Sequence, residues 1–198
     1  KRIVVCFHSG DYQEAYELFK AHEQQSCDEA ELVEFWLIIQ GYLFFLIKRG
    51  KIVTYEEEKF YLGKFMNEVP IFSRDKAGHN INILIVQILI RMQRDQFGFI
   101  IDRIESLQQY VRNHTRNPET KRANLFIRMI IKMEAAHYYR SGTELRTKKL
   151  RKQLDEIPLR FGQNLAVEIV PYPVLWEEIL AMLKDEYGTK TKRRVVKK

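Results

Sequence analysis

Between residues 80 and 92 the chain reads NINILIVQILIRM, and this stretch decides the fold class. Ile81, Leu84, Ile85, Ile88, Leu89 and Met92 recur at the i, i+3, i+4, i+7 spacing that lines one face of an α-helix. Asn80, just after Gly78, stands where an N-cap belongs, since its short amide can accept from the free N–H groups of a first turn. The same period returns in Ile100, Ile101, Ile104, Leu107 and Val111, and again in Leu125, Phe126, Met129, Ile130 and Met133. Strand-type alternation does not persist over more than four residues. The one extended stretch, VEIVPYP at 167–173, contains Pro171 and Pro173, which exclude both helix and central strand. It reads as a connector into a last helix at about 174–186. The expectation is an all-α protein.

Composition agrees and narrows the classes. The 198 residues are 45% hydrophobic and 30% charged, enough apolar material for the core of one domain or one compact repeat array. Two cysteines, Cys6 and Cys27, cannot build a disulfide scaffold or a four-cysteine zinc site. They read as free buried thiols in a reducing, cytoplasmic setting. The most apolar window, FWLIIQGYLFFLI at 35–47, is 13 residues broken by Gln40 and Gly41. A bilayer span needs about 20 residues, so this is a buried helix and no membrane partner is expected.

The net charge of +7 is unevenly spread. Residues 1–70 hold 8 Lys and Arg against 12 Asp and Glu, whereas residues 71–198 hold 25 against 14. Six of those cations, Lys190, Lys192, Arg193, Arg194, Lys197 and Lys198, lie in 188–198, which contains no acid. That segment reads as a flexible basic tail following a helical domain at 1–187. Such a tail acts through charge alone, and non-specific nucleic acid is the partner it would attract.

Turn residues divide the helical chain into pairs. Gly10-Asp11 precedes a helix at about 11–24. The break at 48–51 separates 29–48 from 53–68, the break at 94–96 separates 80–94 from 97–113, and Ser141-Gly142-Thr143 separates 119–140 from 143–156. The second helix of each pair thus begins near 11, 53, 97 and 143, at intervals of 42, 44 and 46 residues. A near-constant interval is what stacked helical hairpins produce, each burying its apolar face against its neighbours. An up-down bundle satisfies the same short loops.

Gly10-Asp11-Tyr12, with Ala15 and Phe19, resembles the second helix of a tetratricopeptide repeat. Gly relaxes the turn, an aromatic follows two positions on, and a small residue lets two helix axes approach. The pattern weakens at later turns: Tyr55 stands where the small residue belongs, and Asp95 and Ile100 replace the Gly and the Ala. The interval also exceeds the family's, which is about 34 residues. The chain therefore resembles a divergent tetratricopeptide-like protein of a family of unknown function. The resemblance implies a right-handed stack of about four hairpins, an α-solenoid with a C-terminal capping helix. It also implies a scaffold binding a protein or peptide segment on its concave surface.

Side chains that could carry chemistry are sparse. Glu134 and His137 have the Glu-x-x-His spacing of di-iron bundles, but no second such pair accompanies them, and His137 reads as a helix-end residue favoured by the dipole. The loop at 73–80 gathers Ser73, Asp75, Lys76 and His79, a composition that solvated connections also have. No phosphate loop, dinucleotide glycine pattern or His-Glu-x-x-His occurs. No catalytic residue, metal or cofactor is expected. Of the aromatics, most read as helix packing, and Trp176 as the anchor of the last helix. Tyr12, Tyr16, Tyr42 and Tyr61 are the candidates for a protein-binding surface, because a tyrosine offers an apolar ring and a polar tip. The competing candidate is a phosphate-binding surface made by Arg146, Lys148, Lys149, Arg151 and Lys152, with Arg122 nearby and the tail. A charged outer helix face over Leu145, Leu150 and Leu154 explains the same cluster without a ligand.

Overall fold

The computed structural model describes residues 2–23, 30–55, 58–68, 79–114, 121–159 and 168–185. Among them the chain is all-helical. The helices are α1 (Arg2–Ser9), α2 (Tyr12–Glu23), α3 (Ala30–Lys48), α4 (Leu62–Glu68), α5 (His79–Gln93), α6 (Ile101–His114), α7 (Lys121–Ala135), α8 (Arg140–Glu156) and α9 (Tyr172–Met182), with a 3-10 turn at Phe97–Phe99 before α6. An isolated bridge between Tyr139 and Lys184 is the sole β-type pairing among the described residues. No helix in the described residues is long and apolar enough to cross a membrane.

Helix α5 is the centre of the molecule. Every residue from Ile81 to Ile90 is buried, so the apolar face read from the sequence is one part of a helix enclosed on all sides. It packs on α3, α6 and α9. Otherwise packing runs between sequential neighbours: α1 on α2, α2 on α3, α6 on α7, α7 on α8 and α8 on α9. Helix α9 also reaches back to α7. There Trp176 lies edge-on to Phe126 and Tyr172 stacks on the same ring at 4.5 Å.

Four helices end in one way. Gly10, Gly50, Asp95 and His137 follow α1, α3, α5 and α7 with φ of +85°, +69°, +54° and +52°. After each, an amide donates five residues back: Asp11 to Cys6, Lys51 to Leu46 and Gln96 to Arg91 at 2.9 Å, and Tyr138 to Met133 at 3.1 Å. This is the Schellman termination, in which a left-handed residue lets the chain satisfy the last free carbonyls of the helix. The four caps stand 40, 45 and 42 residues apart.

Several boundaries correct the sequence reading. The helix expected at 53–68 begins only at Leu62, and the described residues before it, 51–55 and 58–61, are a non-helical strap. Ile52, Val53 and Thr54 are β-branched and poor helix formers. The Gln13 side chain supplies what a neighbouring strand would, accepting from the Val53 amide at 3.1 Å and donating to its carbonyl at 3.3 Å. Asn80 lies inside the first turn of α5, not at its cap. Pro173 does not exclude helix, because it occupies the first turn of α9, where a missing N–H costs nothing. Leu145 is 78% exposed, and the buried stripe of α8 is Thr143, Thr147, Leu150 and Leu154. Thr147 settles its hydroxyl by donating to the Thr143 carbonyl at 2.7 Å, which lets it face the core.

Two buried carboxylates, Glu178 and Glu168, fasten α9 and the segment before it to the other helices. Glu178 on α9 receives Arg49 at 2.7 Å and Lys51 at 3.0 Å, clamping the Gly50 turn. Glu168 meets Arg122 of α7 through two hydrogen bonds, at 2.6 and 2.8 Å. The Glu168 carbonyl lies 2.7 Å from His8 Nε2 on α1.

Candidate functional site

The strap that replaces the expected helix builds an open groove on the surface. Its end is tied down by Glu58, whose carboxylate accepts from Tyr16 at 2.5 Å and pairs with Lys20 at 2.9 Å. Beyond it the Phe60 carbonyl accepts from Arg94 at 3.0 Å, drawing the strap towards the end of α5. The Phe60 ring then stacks on Phe44 of α3 at 5.4 Å, with Phe65 of α4 at the same distance on another side.

A groove of about 750 Å³ runs between these elements, lined by Phe44, Lys48, residues 58–64 and Arg94. Its floor is aromatic. Lys48, Lys59, Lys64 and Arg94 are all exposed, and Glu58 is the one acidic residue lining it among the described residues. Lys48 lies over the Phe44 ring at 5.6 Å, four residues on along α3, which is one helical turn. Tyr61 stands on the rim with 67% of its surface in solvent. A second cleft of about 380 Å³ adjoins it and shares Phe44, Lys48 and Arg94. Glu56 and Glu57 lie outside the described residues.

The carboxylate that anchors the strap is held in its charged form. Burial works against ionisation of Glu58, but the hydrogen bonds from Tyr16 and Lys20 outweigh it and hold the group below its ordinary value of 4.5. Glu178 behaves alike: burial opposes, the bonds from Arg49 and Lys51 prevail, and its value also falls below 4.5. A carboxyl depressed on folding contributes stability that is complete above the unfolded value and is lost as pH falls through the folded value. Denaturant midpoints should therefore drop between pH 4.5 and the more acidic folded-state values. In the Glu58→Gln/Glu178→Gln protein that part of the drop should vanish; an unchanged acid limb would show that neither group is linked to folding.

The four tyrosines have different fates. Tyr61 lines the groove. Tyr16 is spent on Glu58 at its back. Tyr12 is half-buried with its ring 6.5 Å from Phe7, and burial raises its hydroxyl above the usual value. Tyr42 corrects the expectation of a binding surface, for it has no exposed area and donates to Asn82 Oδ1 at 2.8 Å in the core. A tyrosine with a buried partner for its hydroxyl packs like a phenylalanine, which its spacing could not reveal.

The basic cluster on α8 also divides. Lys148, Lys149 and Lys152 face away from the buried stripe, as the 100° step of a helix requires, and Arg146 flanks it. Lys152 pairs loosely with Glu156 at 3.8 Å. Arg151 is not a free phosphate ligand, because it bonds Asp155 at 3.0 Å, the Pro173 carbonyl at 3.2 Å and Glu177 at 3.5 Å, joining α8 to α9. Arg122 is part-buried and paired with the buried Glu168, and is likewise withdrawn from any phosphate surface. Lys190, Lys192, Arg193, Arg194, Lys197 and Lys198 lie outside the described residues, as do Cys27 and residues 73–78 of the loop with mixed polar side chains. Cys6 is a buried free thiol. Among the described residues no group of three His, Cys, Asp or Glu side chains could hold a metal ion.

Phe44, Lys48, Lys59, Phe60, Lys64 and Arg94 were not singled out from the sequence. One signal was present: Lys59 to Phe65, KFYLGKF, alternates cations with aromatics, but a helix over it would have scattered those side chains around an axis. No protein-family model matches the chain, and no curated protein or solved structure matches it either.

Proposed function

We propose that the protein is a non-enzymatic scaffold that binds a segment of a protein partner, and that the groove beside Tyr61 receives it. The carrying observation is the pairing of an aromatic floor, Phe44 and Phe60, with an exposed ring on the rim of an open channel. A large ring in a partly desolvated cleft is the kind of contact that dominates peptide affinity. Sequential helix packing and four like caps at near-regular intervals support an array of helical hairpins in the tetratricopeptide manner. Helix α9 packs on α5, α7 and α8, and the open groove beside the strap is taken as the binding surface. A buried free Cys6 suits the reducing cytoplasm.

Selection of a random-peptide display library on the immobilised protein tests this. Peptides should emerge whose binding is lost with Tyr61→Ala, a substitution at an exposed site that leaves the fold intact. A selection yielding only binders indifferent to Tyr61 overturns the reading. A second reading, contact with nucleic-acid phosphates, is favoured by one observation: Arg146, Lys148 and Lys149 are exposed on α8 and form no ion pair among the described residues.

A further inference from the structure

We infer that α6 is a flap: it opens from α5 as a unit while the rest of the molecule stays folded, and its opening brings water to Gln87. The inference is independent of the groove beside Tyr61.

Gln87 is the observation that points to it. It lies in the middle of α5 with no exposed area, and neither its amide oxygen nor its amide nitrogen has a hydrogen-bond partner. A buried amide in that condition opposes the packing around it, because it has given up water and received nothing in exchange. The turn of the helix tells which neighbour covers it. Asn82, which accepts from Tyr42, Val86, which abuts Gly41, and Gln93, which donates to the Phe45 carbonyl at 2.9 Å, mark the side of α5 that faces α3. Met92 shares a cleft with Met182 on the side of α9. Gln87 stands one turn before Arg91, whose guanidinium lies 5.2 Å from the Phe99 ring at the entry to α6. Gln87 therefore belongs to the side that α6 covers. The buried residues of 101–109 are Ile104 and Leu107, and neither side chain has a donor or acceptor to offer it.

Of the three helices packed on α5, α6 is held least. Helix α3 is joined to α5 by the buried Tyr42–Asn82 bond and by Gln93. Helix α9 is tied to the Gly50 turn through Glu178. The side chains of 101–109 make one hydrogen bond among the described residues, from Ser106 to the Asp102 carbonyl at 2.9 Å, and it stays within the helix. Asp102 and Arg103 act on Arg91 with opposite signs. Ile104 and Leu107 are the two buried side chains of that stretch, whereas every residue from Ile81 to Ile90 of α5 and seven residues of α7 are buried. Few buried side chains and no bond to another element are the marks of a segment that opens before the rest.

The connection into α6 supplies the hinge. Asp95 turns the chain at a φ of +54°, and the Gln96 amide remains bonded to the Arg91 carbonyl at 2.9 Å. The 3-10 turn that follows has no buried residue, and Gln96 caps it with no side-chain bond. Phe97 is seated against Tyr138, with the rings 4.8 Å apart, so the movement falls after it, at Gly98. Nothing lies within 4 Å of a Cβ position there. Phe99 and Ile101 are exposed in the closed state, so what opening uncovers is the apolar stripe of Ile104 and Leu107.

Hydrogen exchange read by mass spectrometry on the full chain tests this. Amides of 101–109 should exchange at least about a hundredfold faster than the most protected amides of α5 and α7. Low urea should leave that fast rate nearly unchanged while raising the slow ones, since local opening exposes little surface. Gln87→Met keeps the size of the side chain and removes the amide, and it should slow exchange in 101–109 about tenfold. Tyr42→Phe, on the α3 side, should speed exchange of the most protected amides of α5 and leave 101–109 unchanged. The parent rates test the flap without either variant. Exchange of 101–109 in step with α5 and α7 at every urea concentration would overturn it. A Gln87→Met protein whose α6 rate matches the parent's would overturn the placing of Gln87 beneath the flap.

Discussion

Replacing Arg122 with methionine should destabilise the protein by about 3–5 kcal/mol, the range for breaking a buried ion pair by removing one partner. The Arg122 side chain is 15% exposed and that of Glu168 4%, so the pair has little water to fall back on. Arg122 holds Glu168 through Nε and Nη2 and also donates from Nη1 to the carbonyls of Leu154 and Ile157, at the end of α8. Glu168 in turn accepts from the Tyr172 amide at 2.9 Å, satisfying a free N–H in the first turn of α9. One substitution thus strands a carboxylate and removes a donor from two carbonyls, across three elements of the chain. Arg122→Met/Glu168→Leu should recover much of the loss, because well-packed apolar groups replace a buried pair at little cost, although the carbonyls of Leu154 and Ile157 still lack their Arg122 donor. Urea unfolding of both variants measures this. A deficit under about 1 kcal/mol would mean water reaches the pair.

Arg122 also marks the limit of what the sequence discloses. Its neighbours in sequence are Lys121 and, after a further turn, Arg128, and by charge alone all three belong to a solvated basic face. Only contact with Glu168, 46 residues on, separates it from them. The helical period was legible because it is local: α3, α5, α7 and α8 fall within a few residues of the expected bounds. So were the turns at Gly10 and Gly50, where a left-handed residue is the natural helix stop. Asp95 performs the same task without the glycine signal, which is why the resemblance weakens at that turn while the geometry does not, and His137 does so four residues before the break read at Ser141-Gly142-Thr143, which lies inside α8. The groove was illegible for the opposite reason. It needs the strap out of helix, and that depends on Gln13 and Tyr16 from another helix and on Arg94 from a third.

Gly41→Ala is expected to cost about 2 kcal/mol, although an alanine in mid-helix normally gains about 1 kcal/mol over glycine. The residue lies inside α3 where that helix crosses α5. A Cβ placed there would overlap Val86 Cγ1 and sit 3.4 Å from its Cγ2. The overlap must be relieved, and Val86 cannot swing aside easily: it is β-branched, fully buried, and held near one rotamer by its helix. The helices must separate or Val86 must leave its well, and either outcome exceeds the propensity gain. Exposed Gly63 of α4, with nothing within 4 Å of its Cβ position, should show the gain alone when changed to alanine. Val86→Ala removes the obstructing methyls at the cost of a small cavity. The double variant Gly41→Ala/Val86→Ala should therefore be more stable than the sum of the two single losses predicts, by at least about 1 kcal/mol. Additivity within error would show that the two helices do not meet at this point. The same Cβ would lie 3.5 Å from Phe60 Cζ, so the crossing that admits only glycine also seats the ring that floors the groove. Gly41→Ala should consequently weaken a Tyr61-dependent peptide even at temperatures where the variant remains fully folded, and Val86→Ala should restore part of that binding.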